Sequence, residues 1–260
     1  MFRIMLDTET VTSVIDDSKG FGFYPLPYQI ALYAFCDDSG TAYGSQVYFI
    51  RETLEYIRDC LDLDYTPQYT PTWLVANLDY YLNNSLSAKK VLSVINRLYN
   101  KYPSAFIAHN APFDIAALDN LAHFANCTVI QLTEDKRQKR ILSYFNDFKI
   151  TECMTYYPCA MDYKHAQKVP NSPKGYATLK MDYLSPLLLG KKQIHDALND
   201  CKNQADIFCI MRDLAKGISS AGVVFQLMSL YHSLHSVPLF VGTFTLSEVK
   251  DKPRALILKK

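Results

Sequence analysis

The sequence predicts an α/β protein with a helical elaboration, and three observations support this fold class. Short apolar runs at residues 2–6 and 104–108 each lead into acidic or polar residues, as strands do where they end at a site. Apolar side chains recur at spacings of three and four between residues 51 and 102, which favours helices. The 260-residue chain is 49% hydrophobic, which is enough to form a core.

The first part of the chain is predicted to form a strand meander. Residues 2–6 form its first strand, which ends by delivering Asp7 and Glu9. A loop is expected at residues 20–28, where glycine, proline and aromatic residues accumulate. The other strands of the meander are expected at residues 29–36 and 45–50, joined by a turn at 37–40. Because sites form at the carboxyl ends of strands in open α/β sheets, Asp7 and Glu9 become candidates.

The middle and late parts of the chain are predicted to be mainly helical. Two or three helices are expected between residues 51 and 102, and they form a helical insertion. A strand at 104–108 and a helix at 112–124 follow, with Asp114 in the first turn of the helix. The later predicted elements are an apolar segment at 128–132, a strand near 149–151 and a helix at about 196–216. We expect one domain over residues 1–215, with a C-terminal extension over 216–260 packed on it.

Composition favours a cytoplasmic protein without a membrane span. The seven cysteines form no CxxC pair and no zinc-type spacing with histidine, and their odd number does not suit a complete disulfide framework. The N-terminal residues lack the uninterrupted apolar stretch of a signal peptide. The most apolar late segment, 221–244, is broken by polar residues and proline, well short of the ~20 apolar residues that span a bilayer. The net charge of +1 gives no support for a generic polyanion binder.

Three separated segments carry acidic and histidine residues: Asp7-Thr8-Glu9-Thr10, His109 to Asp114, and His195 to Asp200. On a strand, Asp7 and Glu9 would project to the same face, where two buried like charges are costly without a cation. Hard oxygen ligands suit Mg²⁺ or Mn²⁺. Two such ions, held by Asp7, Glu9, Asp114 and Asp200, could bind the attacking and leaving oxygens of a phosphodiester displacement.

These segments resemble the motifs of the DEDDh exonucleases, in the order in which that family carries them. The D-x-E motif is matched by Asp7 and Glu9, and the H-x4-D motif by His195 and Asp200. The remaining motif, H-N-x-x-F-D, is matched by His109, Asn110, Phe113 and Asp114. The tyrosine subclass is not matched, since residue 196, four before Asp200, is itself aspartate.

The resemblance implies a ribonuclease H-like fold, with a mixed central sheet flanked by helices. It also implies 3′-5′ exonuclease activity, with His195 removing a proton from the attacking water beside the four carboxylates. A histidine with an ordinary pKa is suited to that task at neutral pH. The sequence departs from the family where Thr10-Val11-Thr12 replaces the usual Thr-Gly, and where the helical stretch between 51 and 100 is longer than in compact members.

The spacing of His195 and Asp200 predicts that one of them leaves the last helix. Five residues correspond to about 140° of rotation at ~3.6 residues per turn, so the two side chains would not share a helix face. Gly190-Lys191-Lys192 just upstream favours a loop for His195. We expect Asp196 to cap the helix and Asp206 to face solvent or an adjacent base. His109 is expected to be structural.

Substrate contacts are expected from four residues near the motifs, namely Thr10, Phe23, Tyr24 and Asn110. An aromatic side chain after the first motif could stack on terminal bases, although it could equally belong to the core. Asn110 could instead cap the helix that follows it. Between residues 136 and 192 there are eleven basic and four acidic residues, a local net charge of +7. This stretch could guide a phosphate backbone or simply be a solvated face.

The sequence therefore predicts a nuclease that acts on nucleic acid with a free 3′ end, most readily a single strand. DNA and RNA both remain open as substrates. A nucleic-acid-binding protein without turnover, and an endonuclease or phosphodiesterase with the same metals, are the alternatives. A homodimer or association with a polymerase is possible for a protein of this kind.

Overall fold

The computed structural model describes residues 1–17, 20–126, 142–143, 181–185 and 189–215. The segments predicted at 128–132 and 149–151, most of the basic stretch, and the extension at 216–260 lie outside the described residues. The chain forms two compact units. The first comprises Met1–Ser143 and His195–Lys202, and the second comprises Tyr144–Ile194 and Asn203–Lys260.

A mixed five-stranded sheet, in the order β3-β2-β1-β4-β5, organises the first unit. Its strands are β1 (Phe2–Asp17), β2 (Gly20–Cys36), β3 (Ala42–Phe49), β4 (Phe106–Ala108) and β5 (Leu142–Ser143). The first three strands pair antiparallel in a meander, whereas β4 runs parallel to both β1 and β5. Since parallel strands end at the same edge, the acids in β1 and the residues that follow β4 lie at one side of the sheet.

The helices that surround the sheet begin with an insertion between β3 and β4. This insertion contains α1 (Arg51–Asp62), α2 (Thr72–Ala76), α3 (Leu78–Asn83) and α4 (Ala88–Lys101). The spacing of apolar residues predicts helices here but only two or three of them, because α2, with five residues, is too short to show a periodic pattern. After β4 comes α5 (Ala111–Phe124), and the later described helices are α6 (Met181–Leu184) and α7 (Ala197–Ala215). No helix within the described ranges is both long and apolar enough to cross a membrane.

The core of the first unit lies between the sheet and the helices α1, α4 and α5. Leu6 and Ile30 of the sheet, Ile57 of α1 and Ile95 of α4 are fully buried in one hydrophobic cluster. The amphipathic pattern of α4 explains its position, because its apolar residues recur on one side and its basic residues remain exposed.

The prediction of a loop at residues 20–28 is wrong, because these residues form the first half of β2. They pair with β1, which continues past the acidic motif as far as Asp17. Pro25 and Pro27 are accommodated since β3 pairs only with Gln29–Phe35, and no other described strand pairs with this half of β2 on its other side. Proline, which has no N–H to donate, is tolerated on such an edge.

Candidate active site

Two of the predicted site residues, Asp7 and Glu9, lie near the middle of β1. Asp7 pairs with Ala31 and Glu9 pairs with Gln29 in the antiparallel ladder to β2. Both acids are only half-buried, although their immediate neighbours in the sheet are mostly buried. The strand therefore carries two carboxylates to a partly enclosed position, as the D-x-E spacing predicts.

A β-bulge in β2 lies next to Glu9. The register of the β1–β2 ladder slips directly after Glu9, which leaves Tyr28 without an opposite residue. Bulges of this kind redirect side chains near sites. The region is bonded to α1, since Thr53 Oγ1 donates to the Pro27 carbonyl at 2.8 Å and Ile50 N donates to the Tyr28 carbonyl at 3.0 Å. The helical insertion thus supports the strand opposite the acidic motif.

Asp114 reaches the same region from the first turn of α5 and is buried. Thr8, the residue between the two β1 acids, donates its Oγ1 hydroxyl to Asp114 Oδ1 at 2.8 Å. Burial raises the pKa of Asp114 to about 7, although the hydroxyl and backbone N–H of Thr8 oppose this shift by bonding to the carboxylate. The D-x-E motif therefore also contributes the residue that orients the carboxylate of the second motif.

His195 and Asp200 come from the start of α7, arranged as their spacing predicts. His195 is exposed and precedes the helix, whereas Asp200 lies in its first turn and is buried. The capping prediction for Asp196 is confirmed, because Asp196 Oδ2 accepts from Asn199 N at 3.1 Å. The cap marks the point where the chain leaves the loop and enters the helix.

Gln29 was not predicted and connects β2 to the start of α7. Its Nε2 donates to Asp196 Oδ1 at 2.9 Å, and its Oε1 accepts from Ala197 N at 3.1 Å. The side chain is 2% exposed. The only signal in the sequence is a glutamine at the beginning of the predicted apolar strand 29–36. It does not reveal a partner 167 residues away.

Glu9, His195 and Asp200 converge beside the middle of β1. One possible ligand atom from each lies within 4.8 Å of the others, and this set of three, among the described residues, does not include Asp7 or Asp114. Burial is the main cause that raises the pKa of Glu9 to about 8, and the charges of Asp200, Asp196 and Asp114 add to it. A buried pair of like charges favours a bound cation.

The remaining two acids act on the same region through their charge. Burial, followed by the charges of Asp7, Asp114 and Asp200, raises the pKa of the Cys201 thiol well above its usual value. Cys201 Sγ lies 3.6 Å from the Met5 carbonyl oxygen, which places α7 against β1. The carboxylate oxygens suit a hard divalent cation such as Mg²⁺ or Mn²⁺, which prefers oxygen ligands to imidazole.

A pocket of about 880 Å³ opens beside these residues. Glu9 and His195 line one part of it, and its other walls include Thr8, Thr10, Tyr24, Tyr28, Phe113 and the segment Gln68 to Pro71. The lining is mainly aromatic and threonine side chains. Such a surface suits a flat ring together with polar groups that bond to a sugar or phosphate.

Tyr69 lies on this pocket in an unusual backbone conformation. Thr70 N donates to the Pro67 carbonyl at 3.2 Å and closes a turn in which Tyr69 occupies the third position with φ of 66°. Type II turns usually have glycine at this position, because a side chain is strained there. The turn is fixed to β1, since Thr12 N donates to the Gln68 carbonyl at 3.1 Å. The ring is 79% exposed, at the rim of the pocket.

The predicted substrate-contact residues are placed differently from one another. Thr10 and Tyr24 line the pocket. Asn110 is exposed at the start of α5, and the suggestion that it caps this helix is wrong, because its side chain makes no capping bond. The side chain of Phe23 lies outside the described residues. His109 is buried at the end of β4, as a structural residue would be.

Little of the predicted basic stretch is within the described residues. Lys191 and Lys192 are exposed, and Lys191 Nζ lies 3.6 Å from Asp206 Oδ2. Asp206 is therefore an exposed residue beside an adjacent base, as expected from the sequence.

Neither a family model nor a curated protein sequence matches the chain. Solved structures of exonuclease I do match it in fold. Escherichia coli exonuclease I in complex with a dT13 oligonucleotide has a TM-score of 0.54 at 13% identity, over 81% of this chain and 41% of that chain. A product-bound exonuclease I has a TM-score of 0.52 at 13% identity, over 91% and 46%. A complex described as ExoI/SSB-Ct has a TM-score of 0.50 at 14% identity, over 91% and 43%.

These likenesses establish the fold. The chain is a mixed α/β protein with a central sheet flanked by helices, as the sequence resemblance implies, and its fold is similar to that of exonuclease I. It spans less than half the length of the exonuclease I chains that it matches.

Proposed function

We propose that the chain is a metal-dependent 3′-5′ exonuclease that hydrolyses terminal phosphodiester bonds of single-stranded DNA or RNA and releases nucleoside 5′-monophosphates. The observation that carries this proposal is the convergence of Glu9, His195 and Asp200 beside the pocket. The likeness in fold to exonuclease I bound to an oligonucleotide supports it.

Asp7, Glu9, Asp114 and Asp200 are the residues that would hold two Mg²⁺ or Mn²⁺ ions. When bound, the ions would supply stabilisation of the negative charge that develops on the phosphoryl oxygens. The chain's own contribution is to hold the carboxylates in place. Thr8 orients Asp114 through its hydroxyl, and α7 carries Asp200 against β1 and β2.

His195 is the proposed general base. Its exposed position at the pocket would let it take a proton from an attacking water and return it to solvent. Because His195 precedes α7 and Asp200 lies within it, the two side chains approach the same point from different backbone directions.

The pocket is the proposed site of the terminal nucleotide. Thr10, Tyr24 and Tyr69 would contact it. Phe23 and Asn110 are proposed to contact the neighbouring nucleotide. Aromatic walls stack on any base, which suits a sequence-tolerant exonuclease with a single-stranded substrate.

We also propose that the protein acts in the cytoplasm. The cysteines in the described part of the chain, Cys36, Cys60, Cys201 and Cys209, form no disulfide with one another, which suits a reducing cytoplasm. Association as a homodimer or with a polymerase stays a proposal that size-exclusion chromatography would test.

The proposal is tested by digestion of 5′-labelled single strands of DNA and RNA with Mg²⁺ or Mn²⁺. We expect stepwise shortening from the 3′ end and no cleavage of a circular strand. Asp200→Asn should abolish shortening, whereas Asp206→Asn, an exposed residue six positions later on the same helix, should leave it unchanged. Binding without shortening would favour the non-catalytic alternative, and cleavage of the circle would favour an endonuclease.

A further inference from the structure

The Gln29 side chain joins β2, next to Glu9, to the short stretch of chain that carries both His195 and Asp200. We infer that Gln29 is a positioning residue of the active site, and that it fixes the start of α7 so that the imidazole and the buried carboxylate meet Glu9. This inference rests on the proposed function, because it assigns a role in that same site.

The amide of Gln29 matches the hydrogen-bonding groups on both of its partners. A carboxylate accepts hydrogen bonds and a backbone N–H donates one, and an amide offers the matching donor and acceptor together. Nε2 donates to Asp196 Oδ1 at 2.9 Å, and Oε1 accepts from Ala197 N at 3.1 Å. Ala197 is the first residue of α7, and the N–H groups of a first helical turn have no partner within the helix.

Asp196 links the position of Gln29 to the residues on both sides of Asp196 in the chain. Asp196 Oδ2 caps α7 by accepting from Asn199 N, and the Asp196 carbonyl accepts from Asp200 N at 2.9 Å. His195 is the residue directly before Asp196. A shift of Asp196 would therefore move His195 and Asp200 together.

Burial makes the hydrogen bonds of Gln29 important for holding α7 in place. It is 2% exposed, so water does not readily replace a missing partner. Glu9 lies opposite Gln29 in the β1–β2 ladder, so the bonds of Gln29 set the distance between Glu9 and the start of α7. Partners of this kind, which orient ligands without touching the metal, commonly change metal affinity or activity by about 10–100-fold when they are replaced.

The test replaces Gln29 by methionine, which keeps the length of the side chain but neither donates nor accepts a strong hydrogen bond. The matched control is Asn120→Ala. Asn120 Nδ2 donates to the Pro25 carbonyl at 3.1 Å, so this substitution also removes an amide bond between a helix and β2, but one that does not involve residues 195–200. For both variants we would measure kcat and KM on a single-stranded oligonucleotide, Mn²⁺ affinity by calorimetry, and thermal stability.

We expect Gln29→Met to lower kcat by about 10–100-fold with little change in KM, and to weaken Mn²⁺ binding. Asn120→Ala should lose comparable thermal stability while it keeps kcat and Mn²⁺ affinity. If Gln29→Met behaves like Asn120→Ala, the inference is overturned. If the wild type binds Mn²⁺ but does not degrade the strand, the proposed function fails, and weaker Mn²⁺ binding by Gln29→Met would still support the inference. A wild type that binds no Mn²⁺ would overturn both.

Discussion

At the scale of single residues, the acids and the histidine of the proposed site could be predicted from the sequence, whereas Gln29 could not. Asp7, Glu9, Asp114, His195 and Asp200 stand out because a metal site needs their residue types at recognisable spacings. Gln29 has no such pattern. Its role depends on α7 returning to β2, and that contact exists only in the folded chain.

Tyr69 gives a prediction at the same scale, because its backbone conformation is strained. Tyr69→Gly should raise the free energy of unfolding by about 1 kcal/mol, since glycine adopts a positive φ without the penalty of a side chain. The same variant should weaken binding of a single strand, because the ring at the pocket rim is lost. Chemical denaturation and fluorescence anisotropy with a labelled oligonucleotide would measure the two effects.

The controls for Tyr69 separate strain from stacking. Tyr69→Phe keeps the ring and should retain both the strain and the strand binding. Gln68→Gly, in the same turn but at a residue without a positive φ, should not raise stability. A Tyr69→Gly protein that is less stable than the wild type would contradict the strain argument.

At the scale of elements, sequence periodicity predicted the helices better than the long hairpin. The insertion helices and α5 were expected because their apolar residues recur at three and four positions. The first half of β2 was expected as a loop because Pro25 and Pro27 interrupt it, and local composition does not show that the chain continues to pair with β1 there.

The support of the bulge by α1 gives a prediction at this scale. Thr53→Val keeps the shape of the side chain but removes the donor to the buried Pro27 carbonyl, which should lower the free energy of unfolding by about 1–3 kcal/mol. Thr72→Val, at an exposed residue in α2, should have little effect. Urea denaturation would compare the two variants, and equal stabilities would show that the bond does not support the bulge.

At the scale of the whole molecule, the fold class and the convergence of distant segments could be anticipated, because three separated segments carry acids and histidines in the order of the DEDDh motifs. The first strand was expected to end at Asp7 and Glu9, but it continues past them to Asp17. The pocket could not be anticipated. Its walls combine β1, β2, the turn at Tyr69 and the residue before α7, and their mutual placement depends on the packing of the insertion against the sheet.

The clustered carboxylates predict how stability depends on pH in the metal-free protein. The pKa is about 8 for Glu9 and about 7 for Asp114 in the folded chain, against ordinary values of 4.5 and 3.8. Because the folded state then binds more protons, stability should be highest below the ordinary values and should fall as the pH rises through the folded ones. Thermal unfolding between pH 4 and pH 9 measures this fall.

Divalent cations should reduce this dependence. A bound cation favours the ionised carboxylates, so saturating Mg²⁺ should raise the melting temperature more at pH 8 than at pH 5. The Glu9→Gln variant should show a smaller fall in stability without metal. A metal-free wild type with the same stability at both pH values would contradict the burial of these charges.

The central claim is that side chains from distant parts of the chain together hold divalent ions, and calorimetric titration of the metal-free protein with Mn²⁺ tests it most directly. The account predicts saturable binding of two ions, with binding lost or strongly weakened in both Glu9→Gln and Asp200→Asn and retained in Asp206→Asn. Absence of saturable binding, or equal binding in all four proteins, would contradict it.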